Sequence, residues 1–266
     1  MAVAFLLLWL AATRLTPHLE QVFMGPPTPT PTATPTPPPP KAAIVDQIGF
    51  SFPSPAFMAE AEEYLEEAGY RVDVHAPEAV TLDFYRTLPQ RGYHLILCQS
   101  HATSEVLAEG ELDREGRYPP GPFLFTTEIY EEKRYPFLQM ADQIRAGKLF
   151  YEDSPDLFLI GPNFVRQSMQ GHFEGTVIIL GGCQGLAVPD LAQALVDRGA
   201  SAVIGWDGMV DLSHNNRAVL RLLEVMTVDG RSPRQAVEQT MEEVGPDPTY
   251  GSSLSALPHA PSQENR

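Results

Sequence analysis

The chain has 266 residues and a formal net charge of -16, because 34 acidic residues outnumber 18 basic ones. Such an excess argues against a nucleic-acid-binding surface and against docking on anionic lipid, and it can attract basic peptides. Hydrophobic residues make up 43% of the chain, which is enough for a sizeable core in one large domain or two small ones.

The beginning of the chain differs in composition from the rest. Residues 1–25 contain the apolar run "AVAFLLLWLAA" (Ala2 to Ala12), which has the length of a signal-peptide core and is short for a bilayer span. A cleaved signal, a retained membrane anchor and a truncated start are all compatible with this run. In the first two cases the protein is exported, either secreted or held on the extracellular face of the cytoplasmic membrane.

A Pro/Thr-rich tract, "PPTPTPTATPTPPPP", fills residues 26–40. Proline favours the extended polyproline II conformation, so the tract predicts a semi-rigid stalk of roughly 45 Å at about 3.1 Å per residue. A stalk behind an anchor suggests a domain displayed outside the membrane, so that the only contact with lipid is through the N-terminal segment.

From residue 41 onward, short apolar runs alternate with amphipathic stretches. Apolar residues at alternating or continuous positions predict strands, and apolar residues at helical spacing predict helices. In chain order we predict a strand at "AAIV" (Ala42 to Val45), a helix at "PAFMAEAEEYLEEAG" (Pro55 to Gly69), a strand at "YRVDVHAP", a short helix at "TLDFYRTLPQRG" and a strand at "YHLILCQSH" (Tyr93 to His101).

The middle of the chain, residues 102–171, is less regular, and order returns after it. In the middle we predict a strand or hairpin at "GPFLFTTEIY", a helix at "YPFLQMADQIRAG" and a short strand at "DLFLIG". Further on we predict a strand at "TVIILGG", a helix at "AVPDLAQALVDRG", a strand at "ASAVIGW", and two helices at "NNRAVLRLLEVMTVDG" and "SPRQAVEQTMEEVG".

Strands that are apolar on both faces and alternate with helices indicate a mostly parallel sheet covered on both sides. We therefore predict an α/β fold, a three-layer α/β/α sandwich over residues 41–266, with the end of the chain from about residue 258 loose. Reactive groups in such folds lie at the carboxyl ends of the strands. This rule selects Gln99 to Ser104, the glycine turn around Cys183, and Trp206 with Asp207.

Cys183 lies in the sequence Gly-Gly-Cys-Gln-Gly at the end of an apolar run. Glycines permit a tight turn and a close approach of substrate to the backbone, whose N–H groups can bind an oxyanion. The amino end of the following helix is expected to favour the thiolate. The alternative is simple packing at a strand end, since free cysteine is often buried and inert. We assign that role to Cys98, and the two cysteines do not indicate a disulfide.

His101 leaves the carboxyl end of the neighbouring strand and is expected to face the same crevice. A histidine near a cysteine can act as a general acid and stabilise a thiolate, although many strand-end histidines are only structural. The chain has no CxxC pair, HExxH motif or phosphate-binding loop, so we predict no metal and no cofactor.

At these residues the chain resembles a known clan. A hydrophobic strand ending in His, followed later by a hydrophobic strand ending in Gly-Cys-x-Gly, is similar to the caspase and gingipain clan of cysteine peptidases. The continuation "LAQALVDRGASAVIGWDG" with its helices is similar to the CHAT branch. The stretch from Ala42 to about Leu257 resembles an uncharacterised archaeal and bacterial group that shares the His-Ser or His-Ala, Gly-Cys-x-Gly-Leu and Ile-Gly-Trp-Asp-Gly steps.

The resemblance implies a caspase-like fold and a His-Cys dyad. Cys183 would be the nucleophile and His101 the general acid that protonates the leaving amine. The backbone N–H groups of Cys183, Gly182 and Ala102 would line the oxyanion site. The clan usually has glycine after the histidine, and the methyl group of Ala102 can narrow the cleft.

The resemblance also implies a pocket for a basic side chain before the scissile bond. Asp207 is the best match for the acidic residue that selects it, and Asp211 is the reserve. Trp206 is a candidate for the pocket wall, with core packing as the alternative. Secondary candidates are His214, at the start of a helix, and Glu128, in the irregular segment; each is otherwise an ordinary helix-end or hairpin residue.

Three functional hypotheses follow. The first is a secreted or surface-displayed cysteine endopeptidase that cleaves a peptide or protein substrate after Arg or Lys. The second is a catalytically silent caspase-like module that binds a peptide or protein partner. The third is an amidotransferase-like hydrolase, but such enzymes place a His-x-Glu pair after the cysteine, and neither His214 nor His259 has that form.

Overall fold

The computed structural model describes residues 38–104, 121–151 and 153–258. The predicted signal or anchor segment, nearly all of the predicted stalk and the chain end after Pro258 lie outside the described residues. Within the described ranges, no helix combines the length and the apolar character needed to cross a bilayer.

The described residues from Pro39 onward belong to one unit that contains both strands and helices. Its strands are β1 (Lys41–Asp46), β2 (Arg71–His75), β3 (Leu95–Gln99), β4 (Ala102–Thr103), β5 (Phe123–Ile129), β6 (Ile144–Lys148), β7 (Asp156–Ile160), β8 (Val177–Gly181), β9 (Ala202–Trp206) and β10 (Leu254–Leu257). Its α-helices are α1 (Pro55–Glu67), α2 (Leu82–Thr87), α3 (Pro136–Met140), α4 (Pro162–Gln167), α5 (Asp190–Asp197), α6 (Leu212–Thr227) and α7 (Pro233–Glu243).

The main sheet has six strands in the order β10-β9-β8-β3-β1-β2. All neighbouring pairs are parallel except β10, which runs antiparallel to β9 at one edge. The central strands are buried on both faces, which is typical of parallel sheets between two helix layers. The predicted mostly parallel sheet is therefore confirmed.

Alternate residues of the central strands pack into two separate cores. Ile44, Leu97 and Ile179 contact one helix layer, made of α1, α6 and α7. The residues next to them in sequence point to the opposite face, where α2, α4 and α5 pack. The predicted three-layer α/β/α arrangement is confirmed. Cys98 belongs to the second core as predicted, and burial raises the pKa of its thiol to about 11.

A second, four-stranded antiparallel sheet, in the order β4-β5-β7-β6, occupies the irregular middle of the chain. One face of it joins the core around α2, α4 and α5. The predicted helix at "YPFLQMADQIRAG" is wrong in its second half. Asp142 adopts a left-handed backbone (φ 51), which ends the helical turn, and Ile144–Lys148 then pairs with β7 as a strand.

Side-chain burial predicts how the free energy of unfolding responds to substitution. Leu97→Ala empties a fully buried position in β3 and is expected to lower that free energy by about 2–5 kcal/mol. Phe137→Ala removes a ring that is 82% exposed on α3 and is expected to change it by less than about 0.5 kcal/mol. Urea unfolding of both variants checks the contrast; equal losses would contradict this packing.

Candidate active site

Cys183 follows β8 directly, in a turn that the glycine before it makes possible. A side chain at Gly182 would overlap the carbonyl oxygen of Ser100, so only glycine allows β8 to pass this close to the chain after β3. The next residue, Gln184, has a left-handed backbone (φ 59). Helix α5 begins only at Asp190, so the N-terminus of the helix that follows Cys183 does not lie at this turn.

The Cys183 thiol is held by the loop after β9. Its Sγ lies 3.5 Å from both the carbonyl oxygen and the backbone nitrogen of Val210, so the thiol donates to the one and accepts from the other. Burial raises the pKa of Cys183, and the nearby carboxylate of Asp247 adds to that rise, while the Val210 N–H opposes it. The prediction that the following helix favours the thiolate is therefore wrong, and the resting thiol is neutral.

His101 is fixed at the end of β3 through its backbone. Its N–H donates to Oε1 of Gln47 (2.9 Å), a fully buried side chain, which also donates to the carbonyl of Thr126. Three phenylalanine rings surround the imidazole edge-on, with ring centroids 5.9–6.2 Å away: Phe52, Phe125 and Phe150. Burial lowers the pKa of His101 to about 4, so the ring is neutral at physiological pH.

Ser51 orients the His101 ring. Its Oγ lies 2.9 Å from His101 Nε2 and also donates to the carbonyl of Ile48 (3.2 Å). A hydroxyl has a single proton, so it accepts the Nε2–H of His101 and leaves Nδ1 as the acceptor nitrogen. Neither Ser51 nor Phe52 was predicted from the sequence, although both follow the carboxyl end of β1, where the strand-end rule applies equally.

One cavity of about 230 Å³ contains both predicted dyad residues. His101, Gly182 and Cys183 line it at the carboxyl ends of the adjacent strands β3 and β8. Among the described residues of its lining, Asp211 is the only carboxylate, and there is no Lys or Arg. The rest of the lining is mostly apolar: Ile48, Phe52, Phe150, Met209, Val210, Leu212 and Tyr250, with Asn215 as a further polar residue.

Of the two predicted acidic residues, Asp211, the reserve, is the one that lines the cavity. It caps α6, with Oδ1 accepting from the N–H groups of Ser213 (2.9 Å) and His214 (3.2 Å). Hydrogen bonds from the Ser213 hydroxyl and the His214 N–H lower the pKa of Asp211, so it is ionised. Its Oδ2 makes no hydrogen bond within the described part of the chain, which leaves one carboxylate oxygen for a ligand.

Asp207 and Trp206 have structural roles, which corrects their predicted places in the pocket. The Oδ1 of Asp207 accepts from the N–H of Ser253 (2.8 Å) and thereby ties β9 to β10. Trp206 is fully buried, and its Nε1–H donates to Oδ1 of Asn215 (3.0 Å). Neither residue lines the cavity.

His214 is likewise absent from the cavity lining, contrary to our expectation. It is buried, with Nε2 3.1 Å from the carbonyl of Gly245 and Nδ1 2.8 Å from a guanidinium nitrogen of Arg217. Since Arg217 can only donate, Nδ1 accepts and Nε2–H donates. The Nε2–H bond joins α6 to the chain after α7, while the Nδ1 bond is made within α6.

Glu128 is also a structural residue rather than part of the site. Its Oε2 accepts from the N–H of Leu82 at the start of α2 (3.1 Å). Its Oε1 pairs with Arg134 (2.8 Å) and accepts from the Tyr135 hydroxyl (2.9 Å). These contacts hold β5 to its neighbours, and Glu128 does not line the cavity.

The predicted oxyanion donors are separated by the structure. Gly182 and Cys183 line the cavity, and the Cys183 N–H lies close enough to its own sulfur to act on the thiol. Ala102 pairs with Leu124 in the β4–β5 ladder, and its methyl group packs against the core. Ala102 does not line the cavity, so it neither narrows the cleft nor belongs with the other two donors.

Gln184 connects the two loops that carry the dyad, which our sequence analysis did not anticipate. Its Oε1 accepts from the N–H of Ser104 (3.0 Å), just beyond His101 in the chain. Its own N–H donates to the carbonyl of Gly208 (2.7 Å). No pattern in the sequence distinguishes this glutamine from any other turn residue.

Comparison with protein-family models and with curated proteins found no match for this chain. Within residues 38–104, 121–151 and 153–258, no group of three or more His, Cys, Asp or Glu side chains is arranged to hold a metal ion.

The neutral thiol predicts slow alkylation of the resting protein. Because burial raises the pKa of Cys183, we expect iodoacetamide to modify it more slowly than free cysteine at pH 7, with a rate that climbs as the pH rises toward the thiol pKa. Mass spectrometry of the full chain at several pH values measures this rate. Rapid, pH-independent alkylation between pH 6 and 8 would instead reveal a preformed thiolate.

Proposed function

We propose that this chain is a cysteine endopeptidase of the caspase-like fold, exported to the cell surface or secreted, that cleaves peptides or proteins after Arg or Lys. The observation that carries the proposal is the single cavity lined by both Cys183 and His101. They lie at the ends of adjacent parallel strands, where a nucleophile and a proton carrier can act on one substrate bond.

The proposed reaction begins with both groups neutral. When substrate displaces the Val210 contacts, His101 Nδ1 takes the thiol proton as Sγ bonds to the scissile carbonyl carbon. The backbone N–H groups of Gly182 and Cys183 stabilise the oxyanion. The imidazolium then donates its proton to the amide nitrogen, the C–N bond breaks, and the amine leaves. Water attacks the resulting thioester, losing a proton to His101, and releases the acid and the free thiol.

The preference for a basic residue is supported by Asp211, the only carboxylate among the described residues of the cavity lining. The free Oδ2 of Asp211 can accept hydrogen bonds from an ammonium or guanidinium group, while apolar walls such as Leu212 can contact the aliphatic stem. The net charge of -16 would also draw a basic peptide toward the protein.

The second candidate is a catalytically silent module that binds a peptide or protein partner in the same cavity. A specific observation favours it: the thiol is bonded to Val210 and the imidazole to Ser51, and neither group is ionised at rest. Both candidates bind a peptide, and they differ only in whether the bound peptide releases the thiol and the imidazole from these contacts for reaction.

Cleavage assays with a library of fluorogenic peptides separate the two candidates. We expect cleavage after Arg or Lys by the full chain, no cleavage by Cys183→Ala, and retained cleavage by Cys98→Ala, whose thiol lies in the core. Activity should disappear as the pH falls through about 4, because protonated His101 cannot accept the thiol proton. Binding of the same peptides without any cleavage would favour the silent module.

The assignment of Asp211 is tested by removing its charge. Asp211→Asn keeps a good helix cap and is expected to lower kcat/KM for Arg and Lys peptides by about tenfold, since a hydrogen bond to a charged group contributes about 1.5–3 kcal/mol. Asp207→Asn, outside the cavity, is the matched control and should leave kcat/KM unchanged. Equal effects of the two substitutions would contradict the assignment.

Ser51 is proposed as a positioning residue for His101. Ser51→Ala leaves the Nε2–H without its acceptor, so we expect kcat to fall by about tenfold with little change in KM. Ser51→Thr keeps the hydroxyl and should restore most of kcat, and Ser54→Ala serves as a nearby control. A rise in KM with kcat unchanged would show that Ser51 does not act through His101.

A further inference from the structure

Two phenylalanine side chains form an exposed aromatic wall on the His101 side of the cavity. Phe52 follows β1 and is 38% exposed, and Phe150 lies in the loop between β6 and β7 and is 77% exposed. Their rings are stacked, with centroids 6.0 Å apart and planes at 17°. Both rings also lie within about 6 Å of the imidazole, so the wall is continuous with the dyad.

Exposed apolar surface beside a cavity is a common mark of a ligand-binding site. Phe150 gains little burial from its own chain, yet its position over the cavity leaves a face of the ring open to a bound molecule. Two large apolar side chains on α3, Phe137 (82% exposed) and Met140 (83% exposed), do not line the cavity. What distinguishes Phe52 and Phe150 is that their rings stack on each other and both line the cavity.

The chemistry of the proposed reaction shows which part of a substrate lies against this wall, and the inference rests on that proposed function. His101 must come within hydrogen-bond reach of the leaving nitrogen in order to protonate it. The residue that carries this nitrogen is the one immediately after the scissile bond. The acyl half of the substrate lies instead toward Cys183 and Val210, next to Asp211.

We propose that Phe52 and Phe150 form a subsite for a large apolar side chain on the residue immediately after the scissile bond. The substrate class is then a peptide with a basic residue followed by a large apolar one, such as Arg-Phe or Lys-Leu. The walls near His101 are aromatic, with Tyr151 also edge-on to Phe52 at 6.4 Å. An acidic side chain would lose its hydration there without gaining a cationic partner, because the described lining residues include no Lys or Arg.

The test uses internally quenched peptides that are identical except for the residue after Arg: Phe, Leu, Gly or Glu. We expect the full chain to cleave the Phe and Leu peptides with a kcat/KM about tenfold above the Gly peptide, the range that a hydrophobic pocket can discriminate. Phe150→Ala should reduce that ratio to about twofold, and Phe150→Leu should keep most of it. Phe137→Ala is the matched control and should keep the full ratio.

A binding experiment separates failure of the subsite from failure of the proposed function. Fluorescence anisotropy measures the affinity of Cys183→Ala protein for labelled Arg-Phe and Arg-Gly peptides, with and without Phe150→Ala. If the full chain cleaves peptides but Phe150→Ala leaves the Phe-to-Gly ratio unchanged, the subsite is overturned and the peptidase stands. If no peptide is cleaved but the Phe preference in binding depends on Phe150, the wall binds a large apolar side chain and the peptidase is overturned. If neither cleavage nor a Phe150-dependent preference is seen, both are overturned.

Discussion

The close passage of β8 over the chain that leaves β3 is the constraint on which the whole site depends. Any side chain at Gly182 would overlap the carbonyl oxygen of Ser100. Because that contact is possible, the nucleophile after β8 and the histidine after β3 open into one cavity. The buried Gln47, which accepts the His101 N–H, and Gln184, which accepts the Ser104 N–H, fix the loops after β3 and β8 further. The cavity thus depends first on the packing of the two backbones, and the side chains that line it depend on that packing.

Burial shifts the pKa values of the two central groups in opposite directions and leaves both groups uncharged. It raises the pKa of Cys183 and lowers that of His101, since each charged form loses hydration. A thiol and an imidazole in this state react slowly with solvent species and with small electrophiles. In the proposed reaction, the binding free energy of a specific peptide is what breaks the Val210 contacts and brings the groups together.

Much of the arrangement could be predicted from strand-end positions, and the failures have physical causes. The sheet, Cys183 and His101 follow from apolar runs and from the residues that end them, whereas Asp211 was only the reserve that the resemblance implies. The resemblance favoured Asp207 over Asp211, and nothing in the sequence revealed that β10 returns antiparallel and takes up the Asp207 carboxylate. Phe150 comes from a second sheet whose strands depend on long-range pairing, which local periodicity does not encode.

The antiparallel return of β10 has a mechanical consequence for the cavity. Tyr250, which lines the opening, sits a few residues before β10, and the loop that carries it is bound to the Asp247 carboxylate through the N–H groups of Thr249 and Tyr250. The same Asp247 accepts the N–H of Asp211. The buried Asp247 carboxylate therefore joins the Tyr250 loop to the N-terminal cap of α6, next to the Val210 that contacts the nucleophile. The position of the Tyr250 loop is therefore coupled, through Asp247 and Asp211, to that of the neighbouring Val210, which contacts the sulfur.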